Sequence, residues 1–195
     1  MSFAHHYTEI VMVGPDKSGT TSLLNRLKRK NVPKGVLPAT IPTIGSNIET
    51  IRHERHTITI WEFGGQDKIR PLWRFYYWNA HAFIFVVDAS APERFAEAGE
   101  ELSRMPKSRD IARFPLLILA NKWDLVKDDT MDLERIRKEL RVEELEKLGM
   151  VVGVMAASAM TGAGISEALD WVVERVSHEL INSHNEDKKH VIQQQ

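Results

Sequence analysis

The 195-residue chain contains no cysteine. That absence excludes disulfides, thiolate metal sites, cysteine nucleophiles, prenylation and palmitoylation together. No apolar run approaches the ~20 residues that a membrane-spanning helix needs, and the first residues carry no apolar signal-peptide core. Position 2 is Ser2, so the glycine that myristoylation requires is missing. The net charge is only −1, which gives no global drive toward nucleic acid or an acidic membrane. No internal repeat is visible.

What remains reads as one full-sized domain, with 43% hydrophobic and 27% charged residues. Apolar runs alternate with amphipathic stretches, the pattern of an α/β fold with a largely parallel sheet. Ile10–Val13, Ala82–Val87, Leu116–Ala120 and Val151–Ala157 are expected as strands, with a strand pair around Glu54-Arg55 from Asn47–Arg52 and Thr57–Phe63. Glu93–Arg104, Leu133–Leu140 and Ile165–Leu180 are expected as helices, Asp132 capping the second of these. Residues 1–8 form a short extension, 9–182 the domain, and 183–195 a polar tail without periodicity, expected to be disordered. Four strands deliver Gly14, Asp88, Asn121 and Ser158 at their C-terminal ends, the edge at which open α/β sheets bind ligands.

A local absence matters more than the global ones. Gly14-Pro15-Asp16-Lys17-Ser18-Gly19-Thr20-Thr21 follows G-x-x-x-x-G-K-[ST] except at the lysine, where Thr20 stands. Gly14 and Gly19 let the backbone curl around phosphate, while Thr21 offers a hydroxyl to magnesium. The Ile10–Val13 run precedes the loop, and Leu23, Leu24 and Leu27 follow Thr20 to Ser22 at helical spacing. Strand, glycine loop and helix N-terminus together make a phosphate cradle.

Asn121-Lys122-Trp123-Asp124 follows the Leu116–Ala120 strand directly. An Asp carboxylate accepts from both the N1–H and the 2-amino group of guanine, a donor pair that adenine lacks. An Asn amide can bond the base edge and tie loops together, and a Lys stem can lie on the base face. A third motif runs Trp61-Glu62-Phe63-Gly64-Gly65-Gln66-Asp67-Lys68-Ile69-Arg70-Pro71-Leu72-Trp73-Arg74. With Pro42-Thr43-Ile44-Gly45, Ala157-Ser158-Ala159-Met160-Thr161-Gly162 and Leu169-Asp170-Trp171, the chain resembles the Arf family of small GTPases from about Glu9 to Glu179.

The resemblance implies a single P-loop domain with a mostly parallel six-stranded sheet and helices on both faces. It implies GTP/GDP and Mg²⁺ as ligands. Gly14, Asp16, Lys17, Ser18, Gly19, Thr20, Thr21 and Ser22 fall in the phosphate loop. Thr43 closes on Mg²⁺ and the γ-phosphate, Gly65 senses that phosphate through its N–H, and Gln66 orients the attacking water. Asn121, Lys122 and Asp124 hold guanine, with Ser158 and the backbone of Ala159 beside them. Effectors, an exchange factor and a GTPase-activating protein are the implied partners, around a patch of Ser46, Trp61 and Tyr76. A monomer in the cytoplasm is expected, peripheral at membranes through partners, in vesicle or ciliary trafficking.

Four departures qualify that expectation. Thr20 removes a phosphate-binding charge; Lys17, three residues earlier, either replaces it from outside or is a solvated loop lysine. Glu62 stands where the family places an Asp near the metal, so its contact is silent, lost or direct. Ser46 replaces an aromatic residue of the partner patch. Residues 1–8 are too short for the family's N-terminal membrane helix, so membrane contact is indirect or uses a missing segment. Two readings follow: a nucleotide switch with weakened phosphate binding and slow hydrolysis, or an interaction scaffold that binds nucleotide weakly or not at all. His5-His6 is no metal site, Lys107 and Arg109 form no nucleic-acid footprint, and the run Glu134–Lys147 reads as a solvated helix face. Trp73, Trp78 and Trp171 are expected to pack.

Overall fold

Among the described residues the aliphatic runs expected as strands form the sheet, and helices with apolar spacing cover its faces, whereas the aromatic run within Arg70–Asn79 is a 3-10 helix. The computed structural model describes residues 6–29, 40, 43, 45–107 and 111–178. His5, Pro42, Ile44, Arg109 and the segment 179–195 lie outside the described residues, as do the side chains of His6 and Lys107.

The strands are β1 (His6–Val13), β2 (Ser46–His53), β3 (His56–Phe63), β4 (Ala82–Asp88), β5 (Leu116–Asn121) and β6 (Val152–Ala156). They form one sheet in the order β2-β3-β1-β4-β5-β6. Only the hairpin β2–β3 is antiparallel; all other pairs are parallel. The parallel strands have their C-terminal ends on one edge, so Gly14, Asp88, Asn121 and Ser158 gather there as expected. Strand β4 is buried along nearly its whole length, which is why its sequence is continuously apolar.

Helices cover both faces. On one side lie α1 (Thr20–Lys28), through Leu23 and Leu24, and α5 (165–178), through Leu169, Val172 and Val176. On the other lie α2 (Phe95–Arg104), α3 (Leu133–Glu139) and α4 (Val142–Lys147), through Phe95, Leu102, Ile136 and Leu145. Close approach is enforced at Gly153, where a Cβ would fall 2.7 Å from the Trp171 ring. Asp132 caps α3, accepting from the Arg135 N–H at 2.7 Å.

Several expectations need correction. β1 begins at His6 because Tyr7 and Thr8 continue the ladder with Thr57 and Ile58, although they lack an apolar signature. The last strand is one residue shorter at each end than expected. Glu93 and Arg94 belong to a 3-10 turn over Pro92–Arg94, and α2 proper starts at Phe95. The run Glu134–Lys147 is two helices, because Arg141 adopts a left-handed φ of 56° and breaks it. Its ion pairs are Arg135–Glu139, Arg137–Glu134 and Arg137–Glu146, the last bridging the two helices. Trp73 is buried and Trp171 half-buried, as expected for packing, but Trp78 is 78% exposed.

Candidate functional site

β1 ends at Val13, and the chain then loops tightly into α1. A Cβ on Gly14 would lie 2.2 Å from the Val86 carbonyl oxygen, and one on Gly19 2.4 Å from Asn121 Nδ2. Gly19 also takes a φ of 93°, which favours glycine on conformational grounds alone. Lys17 adopts a φ of 64° and its side chain is exposed. Ser18 is buried, and its hydroxyl has no hydrogen-bond partner.

The two departures in the phosphate site turn out to be neighbours. Thr20 Oγ1 donates to Glu62 Oε1 at 3.0 Å, where Glu62, near the end of β3, is completely buried. The same carboxylate oxygen accepts from Thr21 Oγ1 at 2.5 Å and from Thr43 Oγ1 at 3.4 Å. Its second oxygen accepts from Asn47 Nδ2 at 2.5 Å. Three hydroxyls and an amide therefore surround this carboxylate, and none of them is a cation.

A buried carboxylate of this kind favours a positive partner. Thr21 and Thr43 hydroxyl oxygens stand 3.0 Å apart, so with Glu62 Oε1 they form a triangle with sides of 2.5, 3.0 and 3.4 Å. An octahedral Mg²⁺ with ligands at about 2.0–2.1 Å separates adjacent oxygens by about 2.9 Å. Thr21, Thr43 and Glu62 thus fit that ion. Among the described residues no group of three His, Cys, Asp or Glu side chains offers another metal site.

Opposite α1, the glycines after β3 press on the loop. Gly65 carbonyl oxygen accepts from the Asp16 N–H at 3.0 Å and from Arg70 Nε at 2.8 Å. A Cβ on Gly65 would sit 2.3 Å from the Gly14 carbonyl oxygen. Gly64 N–H donates to the Gly45 carbonyl at 3.1 Å, joining the segment before β2 to the end of β3. Trp73 Nε1 donates to the Gly64 carbonyl at 3.1 Å, so a buried ring holds this turn from behind.

Asp16 is held by charge. Arg94 contacts its carboxylate at 2.6 Å and also bonds Glu97, which meets Arg70 in turn. Partial burial works against ionising Glu97. Hydrogen bonds and charge from Arg70 and Arg94 outweigh it and hold the carboxyl below its ordinary range. Arg94 is likewise held charged by Asp16 and Glu97 despite its partial burial. Tyr77, near this network, is pushed well above its ordinary pKa by burial and then by the Glu101 charge.

The other end of the candidate site is built from β5 and the loop after β6. Asn121 is buried; its Nδ2 donates to the Ser18 carbonyl at 2.8 Å and its Oδ1 accepts from the Ala159 N–H at 3.0 Å. Lys122 takes a left-handed φ of 60°, and its Nζ pairs with Asp88 at 2.6 Å. Asp124 sits exposed on a 3-10 turn over Trp123–Leu125. Buried Ser158 folds its own loop, its hydroxyl accepting from the Thr161 N–H at 3.0 Å. Arg26 of α1 donates from Nε to the Ala159 carbonyl at 2.9 Å and from Nη2 to the Met160 carbonyl at 2.6 Å.

One cavity of about 320 Å³ brings together Asp16, Lys17, Gly19, Thr20, Thr21, Ser22, Thr43, Gly65, Gln66 and Lys122. Gly14, Ser18, Glu62 and Asn121 stand behind its wall, while Asp124, Ser158 and Ala159 lie beyond its lining. On the far side, Trp61 and Tyr76 lie 6.4 Å apart between ring centroids, with Ser46 exposed opposite Phe63 in the hairpin. Phe75 and Trp78 widen that surface, 57% and 78% exposed. Sequence reasoning missed Arg26, Asn47, Arg70 and Arg94, polar residues to which it gave no role in the site. Arg26 carried one weak signal: it lies inside the leucine-rich face of α1.

The model of the ADP-ribosylation factor family matches residues 1–176. Among solved structures, the chain is similar to the Arl6 BBS3 small GTPase from Trypanosoma brucei, solved with the bound nucleotide analogue GppNp. The two share 30% sequence identity with a TM-score of 0.77, over 89% of this chain and 99% of that one.

Proposed function

The chain belongs to the ADP-ribosylation factor family, and on that premise we propose a guanine-nucleotide switch whose phosphate site works without the loop lysine. The observation that carries this reading is the buried amide of Asn121. It ties the phosphate loop at Ser18 to the base loop at Ala159, so both halves of a nucleotide site are held in one frame. Asp124 stands exposed beside that frame, available to the N1–H and 2-amino group of guanine.

Each residue then has a task. Backbone N–H groups from Lys17 to Thr21 take phosphate oxygens at the start of α1. Thr21, Thr43 and Glu62 would hold Mg²⁺, which would supply positive charge beside the phosphates. Thr20 orients Glu62 through its hydroxyl. Lys17 lines the cavity and brings a flexible cation to its rim. Gln66, exposed at the same cavity, orients water. Without a lysine inside the loop, phosphate binding is weakened and hydrolysis is slow.

Nucleotide state is read by partners at the Ser46, Trp61 and Tyr76 face, widened by Phe75 and Trp78. An exchange factor, an activating protein and effectors belong to this reading. So do a cytoplasmic location and a role in vesicle or ciliary trafficking. A second reading, a scaffold binding nucleotide weakly or not at all, is favoured by the Thr20–Glu62 bond, which satisfies the altered site from within the protein. Titrating a fluorescent GDP analogue with and without Mg²⁺ separates the two: micromolar, metal-dependent binding supports the switch, and none at high micromolar nucleotide supports the scaffold.

A further inference from the structure

A further cavity, of about 510 Å³, opens where the C-terminal end of α1, the end of β2 and the start of α5 meet. Its apolar part is Leu27, Ile51, Ile165 and Leu169, the last three buried. Its polar part includes Arg29, Arg52, His53 and Ser166. Among the described residues no Asp or Glu lines it.

The charge here is unbalanced, in a chain whose net charge is only −1. Arg29 and Arg52 are exposed, and no carboxylate among the described residues pairs with either. Two acidic residues close by in sequence are already engaged, Glu49 by Lys28 at 2.5 Å and Asp170 by His53 at 2.6 Å. The cavity also stands apart from the Trp61 and Tyr76 surface. Ile51 belongs to the core under α1 and α5, whereas Trp61 packs on the core of the opposite sheet face.

We propose that this cavity docks an acidic segment of a partner protein, with one apolar side chain seated on Ile51 and Leu169 between carboxylates held by Arg29 and Arg52. A guanidinium fork matches a carboxylate with two parallel N–H···O bonds. The apolar floor selects among anions. A free phosphate or a lipid headgroup would lay charge over Ile51 and Leu169, which offer it no donor. A peptide brings both parts, methyl groups for the floor and carboxylates for the rim. Because the site lies on the other sheet face from Trp61 and Tyr76, both surfaces can be occupied at once, and the proposal stands independently of the nucleotide reading.

Fluorescence anisotropy of the full chain with a fluorescein-labelled synthetic peptide, glutamates flanking one central leucine, tests this. Submillimolar binding at low salt is expected, weakening as salt is raised. Replacing the leucine of the peptide by serine should weaken binding about threefold or more, the scale of a partly buried aliphatic side chain. Arg29→Glu combined with Arg52→Glu should weaken it about tenfold or more, because two attractions become repulsions. The melting temperature should stay within about 2 °C, since both side chains are exposed. No binding of the acidic peptide, equal affinity in the double variant, or equal affinity for the serine peptide overturns the proposal. Binding confined to vesicles of phosphatidylcholine with phosphatidylinositol bisphosphate also overturns it, and makes the cavity a lipid-headgroup site. Should the charge-reversed protein not fold, Arg29→Gln combined with Arg52→Gln is judged by a drop of about threefold or more.

Discussion

The hydroxyl of Thr20 donates to the buried carboxylate of Glu62 across 3.0 Å, so the residue that replaces the loop lysine and the residue that replaces the metal-side aspartate are direct partners. Read one at a time in sequence, they are two independent losses. Read together, they are one rearranged polar cluster, completed by Thr21, Thr43 and Asn47.

That pairing predicts a non-additive response to restoring the lysine. Thr20→Lys places an ammonium beside Glu62 and within reach of phosphate. GDP affinity should rise by about ten- to a thousandfold, the scale of one or two charge-assisted hydrogen bonds. The gain should be smaller in Thr20→Lys than in Thr20→Lys combined with Glu62→Asp, because the longer carboxylate competes for the new charge. Nucleotide titrations of the four proteins check this, and equal gains in both backgrounds sink the coupling.

Lys17 supplies the second prediction. Its side chain is exposed at the cavity, and no other protein group among the described residues engages it. Lys17→Ala should weaken GDP binding about tenfold or more, as expected for one charge-assisted contact, while leaving the melting temperature nearly unchanged. Unchanged affinity makes Lys17 a solvated loop residue.

The acid side of stability follows from Glu97. Its folded pKa lies below its ordinary 4.5, so its contribution is present above that value and disappears as pH falls through the lower, folded one. Glu97→Gln should therefore be less stable near neutral pH and lose less on acidification. Urea denaturation at neutral pH and below pH 4.5 measures the difference; parallel losses in both proteins contradict it. Because the side chain is 36% exposed, solvent screening keeps the effect small.

Two tryptophans should behave oppositely. Trp73 is buried and bonded to the Gly64 carbonyl, so Trp73→Ala should cost about 3–5 kcal/mol. Trp78 is 78% exposed, and Trp78→Ala should stay within about 0.5 kcal/mol. Thermal denaturation compares them; similar losses would place Trp78 in the core.

The legible parts of this molecule were those written in local pattern. Apolar runs ending in Gly14, Asp88 and Asn121 located three buried strands and their shared edge, because parallel strands covered on both faces admit little else. The motif spacing led to residues that share one cavity, Asp16 to Ser22 with Thr43, Gly65, Gln66 and Lys122, because a tight turn tolerates few side chains. Arg26 and Arg70 stayed hidden because a buried arginine is identified by its acceptors, and these include groups far along the chain, the Ala159 carbonyl for Arg26 and the Glu97 and Glu101 carboxylates for Arg70. Trp78 misled because an exposed and a buried tryptophan look alike without knowing which way the turn over Arg70–Asn79 faces. The break at Arg141 is a left-handed residue inside a favourable helical sequence, which no local preference announces.

The central claim is that guanine nucleotide binds here with a metal ion supplying charge that the loop lysine does not. Titration of a fluorescent GDP analogue with Mg²⁺, and again with the metal chelated, addresses it most directly. The account predicts micromolar affinity with Mg²⁺ and at least tenfold weaker binding without it. No binding at high micromolar nucleotide, or equal affinity in both conditions, contradicts it.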